Sequence, residues 1–275
     1  MSSIRAFIKD VFYRANLTAV LDSLLYQVSV IRNKRKNTAF RKAHPALIIP
    51  PDYFLYETYR LDYKQFFEDT KNTAEEILLW TKNYLKQGQV KILDWGCGIS
   101  RVAMTIDEVT PPTTSVYACD INVRMVEFNA RHYKNVSYSV ISYEPPTRFD
   151  SNFFDFVYSL SVFTHIEASL QPVWIEEIHR ILQEDGVFLF TTHGRYYDSK
   201  LLPRERRLLE QSGVFTKSFL QKGHRMMSTY NSAEAFRNLL QPYFDVLEFH
   251  DGALDQSRTG GQDQWIVRKK TVKKN

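Results

Sequence analysis

The chain has 275 residues, 44% hydrophobic and 24% charged, a composition that can bury a full core and excludes a disordered chain. Its two cysteines, Cys97 and Cys119, lie in apolar segments, exclude a disulfide framework and fit a reducing compartment. The net charge of +5 is local: Arg32, Lys34, Arg35, Lys36, Arg41 and Lys42 form one acid-free cluster and Arg268, Lys269, Lys270, Lys273 and Lys274 another, leaving 25 basic residues against 31 acidic ones, a net of −6. An acidic body of this kind argues against a nucleic-acid partner.

Residues 1–36 read as helical, with Ile4, Phe7, Ile8 and Val11 in one apolar phase and Leu17, Val20, Leu21, Leu24, Val28 and Ile31 in a second. The slip between phases fits two helices or one kinked helix, whose stripe packs on the body, on a partner, or on a membrane surface above the first basic cluster. No run of about 18 uninterrupted apolar residues is present. Nor do the first residues, with Asp10 near their apolar block, resemble a signal peptide. The expected location is therefore cytoplasmic, with peripheral contact to the inner face of the membrane as an addition.

Pro45, Pro50 and Pro51 followed by Tyr53, Tyr56, Tyr59 and Tyr63 predict an extended segment entering a helix, and Thr73 to Lys86 reads as an amphipathic helix. From Val90 onward short apolar runs alternate with helices. Strands are expected at Val90–Asp94, Ser115–Asp120, Val136–Ile141, Phe154–Leu160 and Gly186–Thr192, with helices at Arg101–Val109, Val123–His132 and Pro172–Leu182. Such alternation specifies an α/β, doubly wound, mostly parallel sheet whose site lies at the carboxyl ends of its strands. Residues 194–231 show no convincing strand. Ala233–Leu240 then reads as a helix, with Phe244–Phe249 and Gln264–Val267 as a closing antiparallel pair.

The segment between the first strand and its helix, Asp94-Trp95-Gly96-Cys97-Gly98-Ile99-Ser100-Arg101, carries the sharpest signal. Gly96 and Gly98 permit a tight turn and close backbone approach to a ligand. A dinucleotide loop needs a third glycine where Arg101 stands, which argues against a nicotinamide dehydrogenase. A carboxylate at Asp94 also suits a cation better than a pyrophosphate. Asp120, 22 residues after Gly98, ends the second strand, where an acid can take two ribose hydroxyls. A cationic adenosine compound with no phosphate to cradle matches S-adenosyl-L-methionine.

Four segments in order over Val90–Gly194 resemble the class I S-adenosylmethionine-dependent methyltransferase family: Asp94–Gly98, Ala118–Asn122, Phe153–Ile166 and Ile178–Phe188. The resemblance implies a seven-stranded, Rossmann-like sheet with an antiparallel last strand. It also implies a division into a helical N-terminal extension (1–72), a methyltransferase domain (73–270) with a substrate lid at 194–231, and a basic tail (271–275). By this resemblance the first loop, with Asp94, Gly96, Cys97, Gly98, Ser100 and Arg101, holds the methionine part of the cofactor. Asp120 binds the ribose, and Ile121, Asn122 and Met125 lie beside the adenosine. Ser142 and Tyr143 follow the third strand, where the family places an adenine contact, and Ser159 and Leu160 approach the sulfonium. Ser100 stands in place of the family's third loop glycine.

Residues of each type also have simpler readings. Cys97 and Cys119 read as small apolar fillers, and His165, His179 and His193 have no metal-ligand spacing. His165 and His193 each follow a sheet strand and are the candidates for a base, His165 first. The insert at 194–231 carries eight cations against three acids, fitting either an anionic acceptor or a solvated surface. A further, diffuse similarity to bacterial glycan- or saccharide-pathway methyltransferases adds a sugar hydroxyl. The expected partner is thus a small-molecule acceptor, anionic or saccharide, with S-adenosyl-L-homocysteine as by-product. The alternatives are a protein or nucleic-acid methyltransferase, and a non-catalytic binding protein that docks at a membrane or partner. The sequence sets no oligomeric state.

Overall fold

The short apolar runs pair into one sheet because those at its centre are hydrophobic on both faces and can be buried on both. The computed structural model describes residues 18–59, 61–86, 88–217 and 227–271. The readings made on Ile4, Phe7, Ile8, Val11, Leu17, Lys222, Arg225, Lys273 and Lys274 therefore lie outside the described residues. In chain order the strands are β1 (Val90–Trp95), β2 (Thr114–Asp120), β3 (Ser137–Val140), β4 (Phe154–Ser159), β5 (Leu182–Thr192), β6 (Val214–Lys217), β7 (Ser228–Asn231), β8 (Phe244–His250) and β9 (Asp263–Lys269). Seven of them form a sheet in the order β3-β2-β1-β4-β5-β9-β8, with β9 antiparallel to both neighbours. The order reverses between β2-β1 and β4-β5, which opens a crevice at the carboxyl ends there.

Alternation along each strand divides the core in two. Leu93, Trp95, Phe188, Phe190 and Trp265 point to one face, and Ile92, Phe156, Tyr158, Leu189 and Ile266 to the other. The helices are α1 (Thr18–Ala43), α2 (Asp52–Tyr59), α3 (Tyr63–Thr81), α4 (Ala103–Val109), α5 (Val123–His132), α6 (Gln171–Ile181), α7 (Pro203–Ser212) and α8 (Ala233–Leu240). The first face is covered by α6 and α8 through Trp174, Ile178 and Phe236. The second is covered by α3 and α4 through Ala74, Ile77, Ala103 and Ile106.

Two expectations are corrected. The helix expected at Thr73–Lys86 runs from Tyr63 to Thr81. It begins early because Asp62 accepts from the Gln65 backbone N–H at 3.3 Å and caps its first turn. The insert at 194–231 does hold strands: β6 and β7 pair as a separate antiparallel ribbon, Val214 opposite Asn231. Each has only four residues and a polar-rich sequence, too short for alternation to register.

The helices before the sheet form their own cluster. Leu55, Tyr56, Leu61, Tyr63 and Phe66 are buried with Ile99, from the turn after β1, and Met125 on α5. Most of the tyrosine-rich segment is thus spent on packing. Tyr56 donates to Asp22 of α1 (3.2 Å), and Tyr63 donates to Asp52 (2.5 Å).

Trp265 is fully buried, stacks on Phe190 at 6.2 Å and donates through Nε1 to Thr192 Oγ1 at 3.1 Å. Trp265→Ala should lower unfolding free energy by about 3–5 kcal/mol in urea titration. A change below about 1 kcal/mol would show that the β5–β9 contact does not anchor the sheet.

Candidate active site

The loop between β1 and α4 is shaped by backbone bonds to the end of β2. Gly96 and Cys97 both donate N–H bonds to the Cys119 carbonyl, at 2.8 and 3.0 Å. Gly98 donates to Asp120 Oδ2 at 2.8 Å, and the Gly98 carbonyl accepts from Asn129 Nδ2 of α5 at 2.8 Å. Gly96 sits at φ +81°, and a Cβ there would lie 2.2 Å from Val162 Cγ2, so only glycine fits between this loop and the segment after β4. Ser100 also adopts a left-handed φ, +58°, and its Oγ lies 2.5 Å from the Tyr138 hydroxyl. A serine can hold the conformation that a glycine would adopt without strain.

A cavity of about 590 Å³ opens over this loop, within the size range of small-molecule sites. Of the residues singled out in the sequence, Asp94, Gly96, Cys97, Gly98, Arg101, Asp120, Ile121, Asn122, Met125, Tyr143, Leu160 and His165 line it. Four do not. Ser100 and Ser159 are buried outside its wall, Ser142 is exposed beside Tyr143, and His193 does not line it. The sequence reading missed Glu57 and Thr58, which α2 brings over the loop, and Ser161, Val162, Ile166 and Trp174, which follow β4. The tyrosine-rich entry into a helix was the only sign of the first pair. The second group follows a visible strand but has no charge or periodicity to mark it.

The cavity floor is acidic. Burial pushes the Asp94 carboxyl up to about 7; the nearby Tyr158 hydroxyl and Arg101 oppose that, and Asp120 adds to it. The buried Tyr158 oxygen makes no hydrogen bond of ordinary geometry, so its influence on Asp94 is one of proximity. Burial also raises Asp120, against N–H donation from Asn122 and Gly98. The Asn122–Asp120 bond is 2.7 Å long. Oδ2 takes the Gly98 N–H and Oδ1 that of Asn122, with the Ile121 N–H also acting on the carboxylate, which has lone-pair capacity left for a ligand. Asn122 also caps α5, accepting from Met125 N at 3.2 Å. Arg101 leans away from the acids, donating to Asp69 O and Thr73 Oγ1 of α3. Burial raises both thiols, Cys97 and Cys119, well above their usual range, so they act as packing groups and not as thiolates.

The two histidines differ. His165 ends a short 3₁₀ turn (Phe163–His165), and its Nδ1 lies 2.7 Å from the Met227 carbonyl. A carbonyl only accepts, so Nδ1 carries the proton and Nε2 of the neutral ring carries the acceptor lone pair. His193 sits between the Tyr197 and Tyr230 rings at 4.2 and 5.2 Å. Burial, with His165 and Lys200 nearby, lowers its pKa to about 3 and keeps it neutral. Of the insert's cations, Arg195 pairs with Asp251 (2.5 Å), Lys217 with Glu205 (2.6 Å), and Lys200 lies over the Tyr197 ring (3.9 Å). None of the described ones lines the cavity.

Residues 93–190 match a family described as a methyltransferase domain. No curated protein matches the chain. Among solved structures, the chain is similar to an S-adenosylmethionine-dependent methyltransferase of Methanosarcina mazei, with TM-score 0.55 and 18% identity over 70% of this chain and 98% of that one. A putative methyltransferase of the same dependence from Listeria monocytogenes gives 0.53 and 17%, over 72% and 100%. One from Mesorhizobium loti gives 0.54 and 16%, over 73% and 100%. At such identities the structural likeness establishes the fold. The methyltransferase domain implies S-adenosyl-L-methionine as cofactor, and the donor set fits it. A glycine turn gives close approach, two buried carboxylates suit its cationic end, and Asp120 has lone pairs for the ribose.

With its carboxyl held up to about 7, Asp94 is protonated below that pH and ionised above it. A cationic ligand favours the ionised form, so S-adenosyl-L-methionine should bind about tenfold tighter at pH 8 than at pH 6. Asp94→Asn should weaken binding at pH 8 and flatten the profile. Calorimetry at the two pH values tests this, and equal wild-type affinities would remove Asp94 from the role.

Proposed function

We propose that this chain, which carries a class I S-adenosylmethionine-dependent methyltransferase domain, moves a methyl group to a hydroxyl of an uncharged small molecule, a sugar among the candidates. The observation that carries the reading is His165, which lines the cavity and whose Nδ1 lies 2.7 Å from the Met227 carbonyl, a contact that fixes the tautomer with the basic lone pair on Nε2. An alcohol acceptor benefits from such a base, whereas an unprotonated amine has a lone pair of its own.

When bound, S-adenosyl-L-methionine supplies a methyl group on a positively charged sulfur. The loop Gly96–Gly98 and Asp94 would hold its methionine part and Asp120 its ribose, leaving the side of the cavity lined by Ser161 and His165 for the acceptor, with Tyr143, expected beside the adenine, moved in this reading to the acceptor side. There the protein aligns the acceptor and excludes water. His165 takes the hydroxyl proton on Nε2, and the Met227 carbonyl stabilises the resulting ring charge through Nδ1–H. Tyr143 is held for this by three contacts. Its hydroxyl accepts from Glu167 N (3.2 Å) and lies 4.0 Å from Met227 Sδ, and its carbonyl accepts from Trp174 Nε1 (3.1 Å). The acidic floor, and a cavity lining that includes none of the insert's described cations, favour an uncharged acceptor over an anionic one.

Release of S-adenosyl-L-homocysteine should be followed over a panel of sugars, phenols and amines. On the best hydroxyl acceptor His165→Ala should lower kcat by about 100-fold or more, with cofactor affinity kept within about twofold. Turnover confined to amines, or wild-type kcat in His165→Ala, would overturn the assignment.

A further inference from the structure

Helix α1 meets the body through a mixed face: Asp22, Asn33 and Asn37 are buried there, beside Tyr26, Val30 and Phe40, which pack on the aromatic cluster. Asp22 accepts from Tyr56 (3.2 Å), and Asn37 donates to the Leu61 carbonyl (3.0 Å) and accepts from Tyr63 N (3.2 Å). The opposite face carries Val20, Leu24, Val28 and Ile31, which are 51, 55, 60 and 74% exposed. Spacings of four, four and three put these four on one stripe. The second apolar phase read in the sequence is thus not the stripe that packs on the domain.

The same face changes character along its length. Arg35 and Lys42, four and eleven residues after Ile31, continue it and are exposed, with Arg32 and Lys34 exposed on either side. The acid of this helix, Asp22, is buried, so nothing on the outer face offsets these cations. Apolar side chains followed by cations on one outward face can meet acyl chains and anionic headgroups together, without the opposed apolar and charged faces of a simple amphipathic helix. A protein groove would have to match both halves with apolar and acidic surface in turn, whereas an anionic bilayer offers acyl chains and headgroup charge at one plane.

We propose that the outer face of α1 docks the enzyme on an anionic lipid surface. This goes beyond the methyl-transfer reading and does not depend on it. The docking helix is joined to the site: Asp22 holds Tyr56, and the next two residues of α2, Glu57 and Thr58, line the cavity. A docked α1 therefore keeps the cavity's α2 wall within one helix layer of the membrane.

Full-length protein is mixed with vesicles of phosphatidylglycerol or of phosphatidylcholine and sedimented at low salt. Binding should be at least about tenfold stronger to phosphatidylglycerol and should fall as salt rises. Val28→Asp with Ile31→Asp, and separately Arg35→Glu with Lys42→Glu, should each weaken it by about tenfold or more. Because these side chains are exposed, melting temperature and S-adenosyl-L-methionine affinity should stay at wild-type values. That keeps loss of docking distinct from loss of fold or of the cofactor site. Absence of phosphatidylglycerol binding, equal binding to both vesicles, or unchanged binding in either double variant would overturn the proposal. So would a dimer that Val28→Asp with Ile31→Asp converts to monomer while vesicle binding persists, since the face would then belong to a second copy.

Discussion

The carbonyl of Cys119 and the carboxylate of Asp120 fix the whole site. Between them they take the backbone N–H groups of Gly96, Cys97, Gly98 and Asn122, so the first loop folds onto the end of β2 and not into solvent. Buried donors of this kind cost free energy if left unpaired, and the parallel register of β1 on β2, Trp95 opposite Cys119, places the acceptors where they are needed. Glycine is required at 96 because Val162 approaches from β4, and that contact sets the separation between the cofactor loop and the segment that leads to His165. Cofactor side and acceptor side are therefore positioned by one set of backbone bonds.

The parts added to the sheet act on the same site from two directions. From the N-terminal side, Leu55, Tyr56 and Phe66 bury Ile99 and Met125, which flank the loop on either side of Asp120. From the other, the β6–β7 ribbon grips the segment after β4. Thr229 donates to the Ile166 carbonyl (2.7 Å), Thr216 Oγ1 accepts from Ala168 N (3.2 Å), and Asn231 Nδ2 donates to Gln171 Oε1 (2.8 Å). Met227, which enters β7, supplies the carbonyl that sets the His165 tautomer. The insert thus reaches the site through hydrogen bonds to a turn, and three of its cations, Lys217, Arg195 and Lys200, are engaged by Glu205, Asp251 and the Tyr197 ring.

What could be read beforehand follows from which signals are local. Helices Val123–His132 and Ala233–Leu240 begin and end where periodicity places them, because Asn122 and Ser232 cap them within four residues of sequence. The central strands of the main sheet were visible because both of their faces are apolar. The ribbon was invisible because its strands are short and stabilised by Thr216–Thr229 hydroxyl contact and by partners more than 40 residues away. In the site, charged and glycine positions stood out, whereas Glu57 and Thr58 depend on how α2 folds over the loop, which no pattern in their neighbourhood encodes.

The exposed apolar stripe of α1 follows from the same distinction. Periodicity detects an apolar stripe and assigns it to the core by default, since burial is the usual fate of such a stripe. In α1 the default fails because the body offers the helix polar partners: the Tyr56 hydroxyl, the Leu61 carbonyl and the Tyr63 amide. Together with the rings of Tyr26 and Phe40 and the side chain of Val30, which pack on the same cluster, these bonds hold the helix to its domain without the outer stripe. Nothing in the described fold covers Val20, Leu24, Val28 and Ile31, so the free energy of removing them from water is left for a contact outside the described fold. The cations that follow in the same register decide which outside surface gains most from it.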